Sequence, residues 1–412
     1  MNKQKAVFQL HTEQSLNISH SEQNIRQSFI SQFENKISAN LNKFQQKTIF
    51  LAAVSGGADS MALLAAICAI KNNGVIYNNR FYCLHVEHGL RPAEERCGDA
   101  VFVKTFCDEH GIECRIKHIK PGKITAYAKQ KGIGIEAAAR FFRHKALKKE
   151  AKRIESLADC SAGKTLVMLA HTNDDLLETI LMRILRGSGP AGLALMPSKR
   201  GRIIRPLLEM TRLDIIEYLK AKNITWREDS TNTDEVFLRN KIRSRLVQVL
   251  NESFPSWKKG VYSMAKTQSY VSEFITGEAG QLVQWEMDIL PRIRSCRTRT
   301  NSFLQNAHEQ NQIVFTDAET LFSQPVIIRE EAIFQGINIL ISLCAANRKF
   351  NVLPCEIKRI KSIKRSVIRK FCESKVNTAD LGSVLLKHED GKVIITLPAE
   401  DFFECGVSKQ IE

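Results

Sequence analysis

Apolar residues first fall into register between residues 20 and 45, where Ile25, Phe29, Ile30, Phe33, Ile37 and Leu41 recur at helical spacing. That pattern predicts an amphipathic helix packed on a core, preceded by a polar stretch over residues 1–19. From residue 47 to about 210, short apolar runs alternate with longer helical stretches. The runs 48–54, 80–86, 113–119 and 165–170 have the length of buried strands. Such alternation predicts an α/β fold, a doubly wound, mainly parallel sheet with helices on both faces. In that architecture ligands gather at the carboxyl ends of the strands. Beyond Arg227 the pattern turns helical and basic, with one helix starting over 239–246 and another from Trp257 to about Ile289. After Pro291, β-like runs at 312–315 and 392–397 bracket a basic stretch over 356–365. The expected organisation is an N-terminal extension (1–46), a catalytic α/β domain (47–230), a helical basic domain (231–295) and a smaller α+β domain (296–412).

The first strand runs into Ser55, Gly56, Gly57, Ala58, Asp59 and Ser60, and these into an alanine- and leucine-rich helical stretch. A strand, a Gly-Gly turn and a helix start make a cradle for phosphate, because the glycines admit close approach and the first helical amides point at the anion. Ser55 and Ser60 add hydroxyls, and Asp59 adds a carboxylate suited to Mg²⁺ held against phosphates. No Gly-Lys-Ser/Thr follows, so this is not the Walker-type loop. The pattern resembles the pyrophosphate loop of the ATP pyrophosphatases, which cleave ATP between its α and β phosphates.

Composition narrows the partners. The 412 residues carry a formal net charge of +16, which points to a polyanion. Eleven cysteines include no C-x-x-C pair, which favours reduced thiols in a cytoplasmic protein over a disulfide framework or a zinc site. No apolar run approaches a membrane span, and the N-terminus lacks a signal-peptide core.

Three further runs fall after the predicted strands. Ala170, His171, Thr172, Asn173, Asp174, Asp175, Leu176, Leu177, Glu178 and Thr179 place three acids in the first turns of a helix capped by Asn173. Asp174 and Asp175 share a face with Glu178. The cluster suits a cation, either Mg²⁺ or a substrate ammonium, and a carboxylate there could take a proton from that amine. Acids also simply favour helix N-termini, and the run alone leaves both readings open. Glu136 to Arg143 sets Arg140 and Arg143 on one helical face, where arginine suits developing phosphoryl charge. Val86, Glu87, His88, Gly89, Leu90 and Arg91 form a turn whose histidine is more often structural.

Together the runs resemble the tRNA(Ile)-lysidine synthetase family, which shows S-G-G-x-D-S, V-D-H-G-L-R, E-A-A-A-R-x-x-R-Y, A-H-H-x-D-D-Q-x-E-T and L-R-G-x-G-x-x-G-L. Here these read as 55–60, 86–91, 136–143, 170–179 and 185–193, with Arg205, Pro206, Leu207 and Leu208 and the run from Arg227 to Arg243 also fitting. The resemblance covers roughly 48–250. Four positions depart: Glu87 for Asp, His144 for Tyr, Thr172 for the second His, and Leu176 for Gln.

The resemblance implies ATP-dependent ligation of L-lysine to C2 of the wobble cytidine of a CAU-anticodon tRNA(Ile), through an adenylated base. It implies ATP binding by Ser55, Gly56, Gly57, Ala58, Asp59, Ser60 and His88, and Mg²⁺ at Asp59. Catalytic roles are expected for Asp59, Arg140, Arg143, Asp175 and Glu178, and lysine binding for Asp174, Asp175 and Glu178. Phosphate tracking on the tRNA falls to Arg239, Lys241, Arg243, Lys358, Arg359 and Lys361, with 292–299 also basic. A homodimer is left open. The rival readings are a tRNA thiolase, which would carry C-x-x-C pairs, a glutaminase-dependent synthetase, and a non-catalytic nucleotide or RNA binder, which has no use for the acids.

Overall fold

The computed structural model describes residues 20–44, 47–73, 79–90, 92–157, 164–227, 238–291, 310–346, 365–374, 376–382 and 384–397. Lys358, Arg359, Lys361 and the basic stretch 292–299 lie outside the described residues. The chain forms two compact units, Met1–Lys266 and Thr267–Glu412.

In the first unit, α1 (His20–Asn42) precedes β1 (Ile49–Ala53), α2 (Ala58–Asn72), β2 (Arg80–Glu87), α3 (Ala93–Glu109) and β3 (Glu113–His118). Then follow α4 (Lys123–Lys131), α5 (Ile135–Leu157), β4 (Leu166–Met168), α6 (Asn173–Leu185) and α7 (Pro190–Leu193). β5 (Lys199–Arg200), β6 (Ile203–Ile204) and α8 (Arg212–Ala221) complete the sheet region. The sheet order is β3-β2-β1-β4-β6-β5, with every pair parallel except β5–β6. The chain winds outward from β1 through β2 to β3, then returns to lay β4 on β1's other side. The carboxyl ends of β1 and β4 therefore flank the switch point, the crevice where such sheets bind ligands. All four apolar runs land on β1 to β4, whereas β5 and β6 are two residues each and too short to pattern.

α2 is apolar on nearly every side and is buried accordingly, with Met61, Leu63, Leu64 and Ile67 in the core. The expected helix over 20–45 is α1, and it closes that core. Phe33 stacks on Tyr218 of α8 at 4.1 Å, and the Tyr218 hydroxyl donates to Glu34 at 2.9 Å. Ile30, Phe33, Ile37 and Leu41 are buried. Ile25 is the exception, 69% exposed, because it lies beyond the last turn that faces the core.

The basic segment after residue 237 is not one regular helix. α9 (Leu238–Lys241) passes through a single π-turn, Ile242–Leu246, into α10 (Val247–Ser253), and α11 (Trp257–Leu282) follows. Ile242, Trp257 and Ala265 pack with Leu176, Leu177 and Ile180 of α6, which joins this segment to the acidic helix. The expected extension of α11 to residue 289 does not occur. β7 (Glu286–Pro291) begins there instead, pairing with β8 (Gln310–Asp317).

The second unit is α+β. α12 (Ala318–Phe322), α13 (Val326–Ala346) and α14 (Arg365–Glu373) accompany β9 (Thr378–Asp380), β10 (Leu385–Glu389) and β11 (Lys392–Thr396). Its sheet, β7-β8-β11-β10-β9, is antiparallel throughout. Ile333, Ile337, Leu340, Phe371, Leu386, Val393 and Ile395 form its core.

Candidate active site

The loop after β1 is held by its own hydroxyl. Ser60 Oγ accepts from the amides of Ser55 (3.1 Å) and Gly56 (3.2 Å) and donates to the Gly57 carbonyl (2.9 Å). Gly56 sits at φ +95°, a left-handed conformation that glycine alone adopts without strain. Gly57 caps α2 with no side-chain partner, and Ala58 is its buried first residue. The first turn of α2 thus has no side-chain cap on its free amides. The loop is clamped from outside: the Arg227 amide donates to the Gly56 carbonyl at 2.9 Å, and Arg227 Nε bonds Asp99 of α3 at 3.1 Å.

Asp59 stands one residue into α2 and pairs with Arg212 Nη1 from the start of α8, at 2.5 Å. Burial raises its pKa, Arg212 opposes that, and the nearby Asp175 raises it further. This combination fits a cation: Asp59 and Asp175 are mutually repelling acids beside a phosphate cradle, a donor set that suits Mg²⁺.

Thr172 caps α6, rather than the expected Asn173. Its hydroxyl accepts from the Asp175 amide (3.4 Å), while Asp175 Oδ2 accepts from the Thr172 amide (2.9 Å). This capping box explains why threonine serves at that position. Every acid of the run is paired. Asp174 accepts from the Arg212 amide (2.6 Å) and from Lys258 (3.2 Å). Asp175 accepts from Arg239 Nη2 (2.5 Å). Glu178, only 4% exposed, accepts from Arg239 Nε (2.8 Å) and Arg243 Nε (2.7 Å). Arg239 and Arg243, from α9 and the π-turn that follows it, thus both meet the acids of α6. Lys241, between them in sequence, is exposed. Leu176 lies in the core against Ile242 and Trp257, so the departure there is a packing residue.

Beside the acids, positive charge converges. Arg140 and Arg143 of α5 are both lowered in pKa, by desolvation first and then by neighbouring arginines, with Arg239 acting on both. The Arg143 Nε is buried with no hydrogen-bond partner. His171 Nδ1 accepts from Arg205 Nε at 3.2 Å. Burial, followed by arginines 205, 140, 143 and 239, pushes His171 down to about 3. Burial and the Arg140, Arg143 and Arg205 charges bring His144 to about 4. Both imidazoles are thus neutral at pH 7. A guanidinium whose Nε is buried with its donor unmet, among other arginines, has the chemistry to suit an anion.

At the end of β2, Glu87 is buried and accepts from Arg96 and His118. Burial acts to raise its pKa, but those two bonds and charges hold it below the usual range. Glu87 is therefore a structural carboxylate. Half-buried His88 follows it, and Gly89 is needed because a Cβ there would lie 2.7 Å from the Ile119 carbonyl oxygen.

The structure thus brings Asp59, Arg140, Arg143, Asp174, Asp175, Glu178, Arg239 and Arg243 into one network of ion pairs and neighbouring charges beside the PP-loop. Roles for Arg212 and Lys258 escape the sequence, since neither falls within a quoted run. Arg205 and Arg227 fall within quoted runs, yet only the fold shows what they hold.

A PP-loop domain model matches residues 29–250, more than half the chain. The chain belongs to the PP-loop domain family. This PP-loop protein is 40% identical over 239 residues to a tRNA(Ile)-lysidine synthase of Treponema denticola, covering 58% of this chain and 49% of that protein. It is 35% identical over 231 residues to the tRNA(Ile)-lysidine synthase of Borreliella burgdorferi, covering 55% and 49%. It spans about half the length of these curated relatives. The U34-tRNA thiolase NcsA of Methanococcus maripaludis, solved with its [4Fe-4S] cluster, aligns at 18% identity and a TM-score of 0.47, covering 59% of this chain and 80% of that one. Among the described residues no helix is long and apolar enough to cross a membrane.

Proposed function

We propose that this PP-loop protein is a tRNA(Ile)-lysidine synthase, joining L-lysine to the wobble cytidine of a CAU-anticodon tRNA(Ile) at the cost of ATP. One observation carries the reading: acids that suit an amine and arginines that suit a phosphate stand side by side at the PP-loop's crevice. The PP-loop amides and Ser55 would hold the β and γ phosphates, with His88 at the neighbouring strand end. Cytosine O2 attacks the α-phosphorus, and the bond to the bridging oxygen breaks to release pyrophosphate. Arg143, whose Nε awaits an acceptor, and Arg140 would bear the charge on the α-phosphate. Asp59 would hold Mg²⁺, which would spread the charge of the leaving phosphates. Lysine's amine then attacks C2, and AMP leaves with the oxygen. Asp174, Asp175 and Glu178 would bind the lysine ammonium and take the proton that the attacking amine sheds, in exchange with Arg239, Arg243 and Lys258. Freed from the acids, those cations would join Lys241 and the basic stretch of Lys358, Arg359 and Lys361 on tRNA phosphates. The free thiols at Cys68, Cys97 and Cys344 fit a reducing cytoplasm.

The test is incorporation of radiolabelled lysine into tRNA(Ile) transcript with ATP, comparing wild type with Asp175→Asn and Glu178→Gln. Label in tRNA for wild type, and its loss in both variants, is the expected result. ATP turnover with sulfur transfer but no lysine incorporation would overturn the assignment.

A further inference from the structure

Away from the crevice, three cysteines that no motif uses converge at the outer edge of the parallel sheet. Cys83 of β2 and Cys114 of edge strand β3 are Cα partners in the parallel register. Cys107 lies in the last turn of α3, and the Ile112 amide bonds its carbonyl at 2.9 Å, so the helix folds straight back onto β3. All three are buried, at 1%, 0% and 7% exposure for Cys83, Cys107 and Cys114. All three are free thiols, and their sulfurs lie within 4.8 Å of one another. Three sulfurs bound to one ion at about 2.3 Å stand about 3.8–4.0 Å apart, so closure on an ion needs at most about 1 Å of contraction.

From this convergence of Cys83, Cys107 and Cys114, we propose a three-thiolate site for a soft, thiophilic cation of the Cu(I) class. Among the described residues no histidine or carboxylate joins the group as a fourth ligand. Structural zinc is almost always four-coordinate, whereas thiolates select soft ions by ligand type. Val103 and Ile112 belong to the same buried cluster as the three cysteines, with Phe102 and Phe106 packed against that cluster, so the surroundings are apolar. Among the described residues β3 is the edge strand of its sheet, so the group lies at the sheet's margin. An ion there would tie α3 to the sheet. α3 also carries Asp99, the partner of Arg227, and Val103, which approaches Gly56, so occupancy would stiffen the wall behind the PP-loop. This inference is independent of the proposed reaction.

The experiment is Cu(I) titration of the reduced full-length chain against a chromophoric Cu(I) chelator. Cys83→Ser, Cys107→Ala and the exposed-thiol control Cys97→Ser are titrated alongside. Wild type and Cys97→Ser are expected to retain one equivalent that both cluster variants lose, and wild type should melt at a higher temperature with the ion. Equal retention by all four proteins would overturn the site, as would retention of Zn(II) with no retention of Cu(I). If the cluster variants fail to fold, X-ray absorption on Cu(I)-loaded wild type decides: three sulfur neighbours support the site, two or fewer refute it.

Discussion

Arg239 and Glu178 meet through a 2.8 Å hydrogen bond from Nε to Oε2, across 61 residues of chain. The same guanidinium reaches Asp175 through Nη2, so one arginine closes both carboxylates on the inner face of α6. Removing it leaves buried Glu178 with Arg243 alone. A charge-assisted bond lost at a buried acceptor costs about 2–3 kcal/mol. Arg239→Ala should lower unfolding stability by that amount, while exposed Lys241→Ala should change it by less than about 0.5 kcal/mol. Denaturant unfolding of the two variants checks this, and equal effects would show that the pairing does not support the fold.

Arg143 presents the opposite balance. Its Nε has no acceptor, and desolvation and Arg140 both act against its charge. Arg143→Met keeps most of the side-chain volume and removes the repulsion. The variant should melt no lower than wild type, yet lose about 10²–10³-fold in turnover, the scale for a missing charge-stabilising donor. Calorimetry and steady-state kinetics on one preparation test both halves. A destabilised but active variant would make Arg143 a structural residue.

Much of this site was legible before the fold, and unevenly so. The PP-loop, the α6 acids and the α5 arginines announce themselves because each is a contiguous run with its own local geometry. What the run cannot show is its partner. The spacing of Arg239 and Arg243 reads equally well as a basic surface, and only tertiary packing of Ile242 against Leu176 turns them onto Glu178. Thr172 looks like a lost histidine until the capping box shows it accepting from the Asp175 amide. Arg212 is invisible for a plainer reason: it meets Asp59 across 153 residues and belongs to no quoted run. Strands β1 to β4, β8 and β11 followed from the expected runs, and β5, β6, β7, β9 and β10 did not.

His171 sets a pH dependence. Its folded pKa is about 3, against about 6.5 in the unfolded chain. The unfolded state therefore takes the proton first as pH falls, and the stability present above about 6.5 is lost progressively toward pH 3. His171→Gln removes that proton uptake. Its melting temperature should fall less steeply between pH 6.5 and 4 than that of wild type, and identical slopes would rule out the buried neutral imidazole.

The basic stretch around Lys358 makes a separable claim about the polyanion. Each phosphate-contacting lysine or arginine contributes about one unit to the salt slope of binding. Replacing Lys358, Arg359 and Lys361 together by Gln should weaken tRNA binding and reduce the slope of log K against log salt by about 3, while ATP binding is unaffected. Filter binding over a salt series measures both quantities. An unchanged slope would remove this stretch from the RNA-binding surface.

Gly56 joins backbone geometry to ATP use. At φ +95° an L side chain is strained, and a Cβ would meet Val103 at 3.6 Å and Arg227 at 3.8 Å. Those are ordinary contacts, so the penalty of Gly56→Ala is conformational, about 1–2 kcal/mol. The chain can relieve it by rotating the 56–57 peptide, which would break the 2.9 Å bond from the Arg227 amide to the Gly56 carbonyl and turn the loop amides from the crevice. Gly56→Ala should therefore lose ATP affinity by more than tenfold, whereas Arg227→Lys, which keeps the backbone bond, should lose little. Nucleotide titration by calorimetry separates the two, and equal loss would place the effect in the Arg227 side chain and not in the loop.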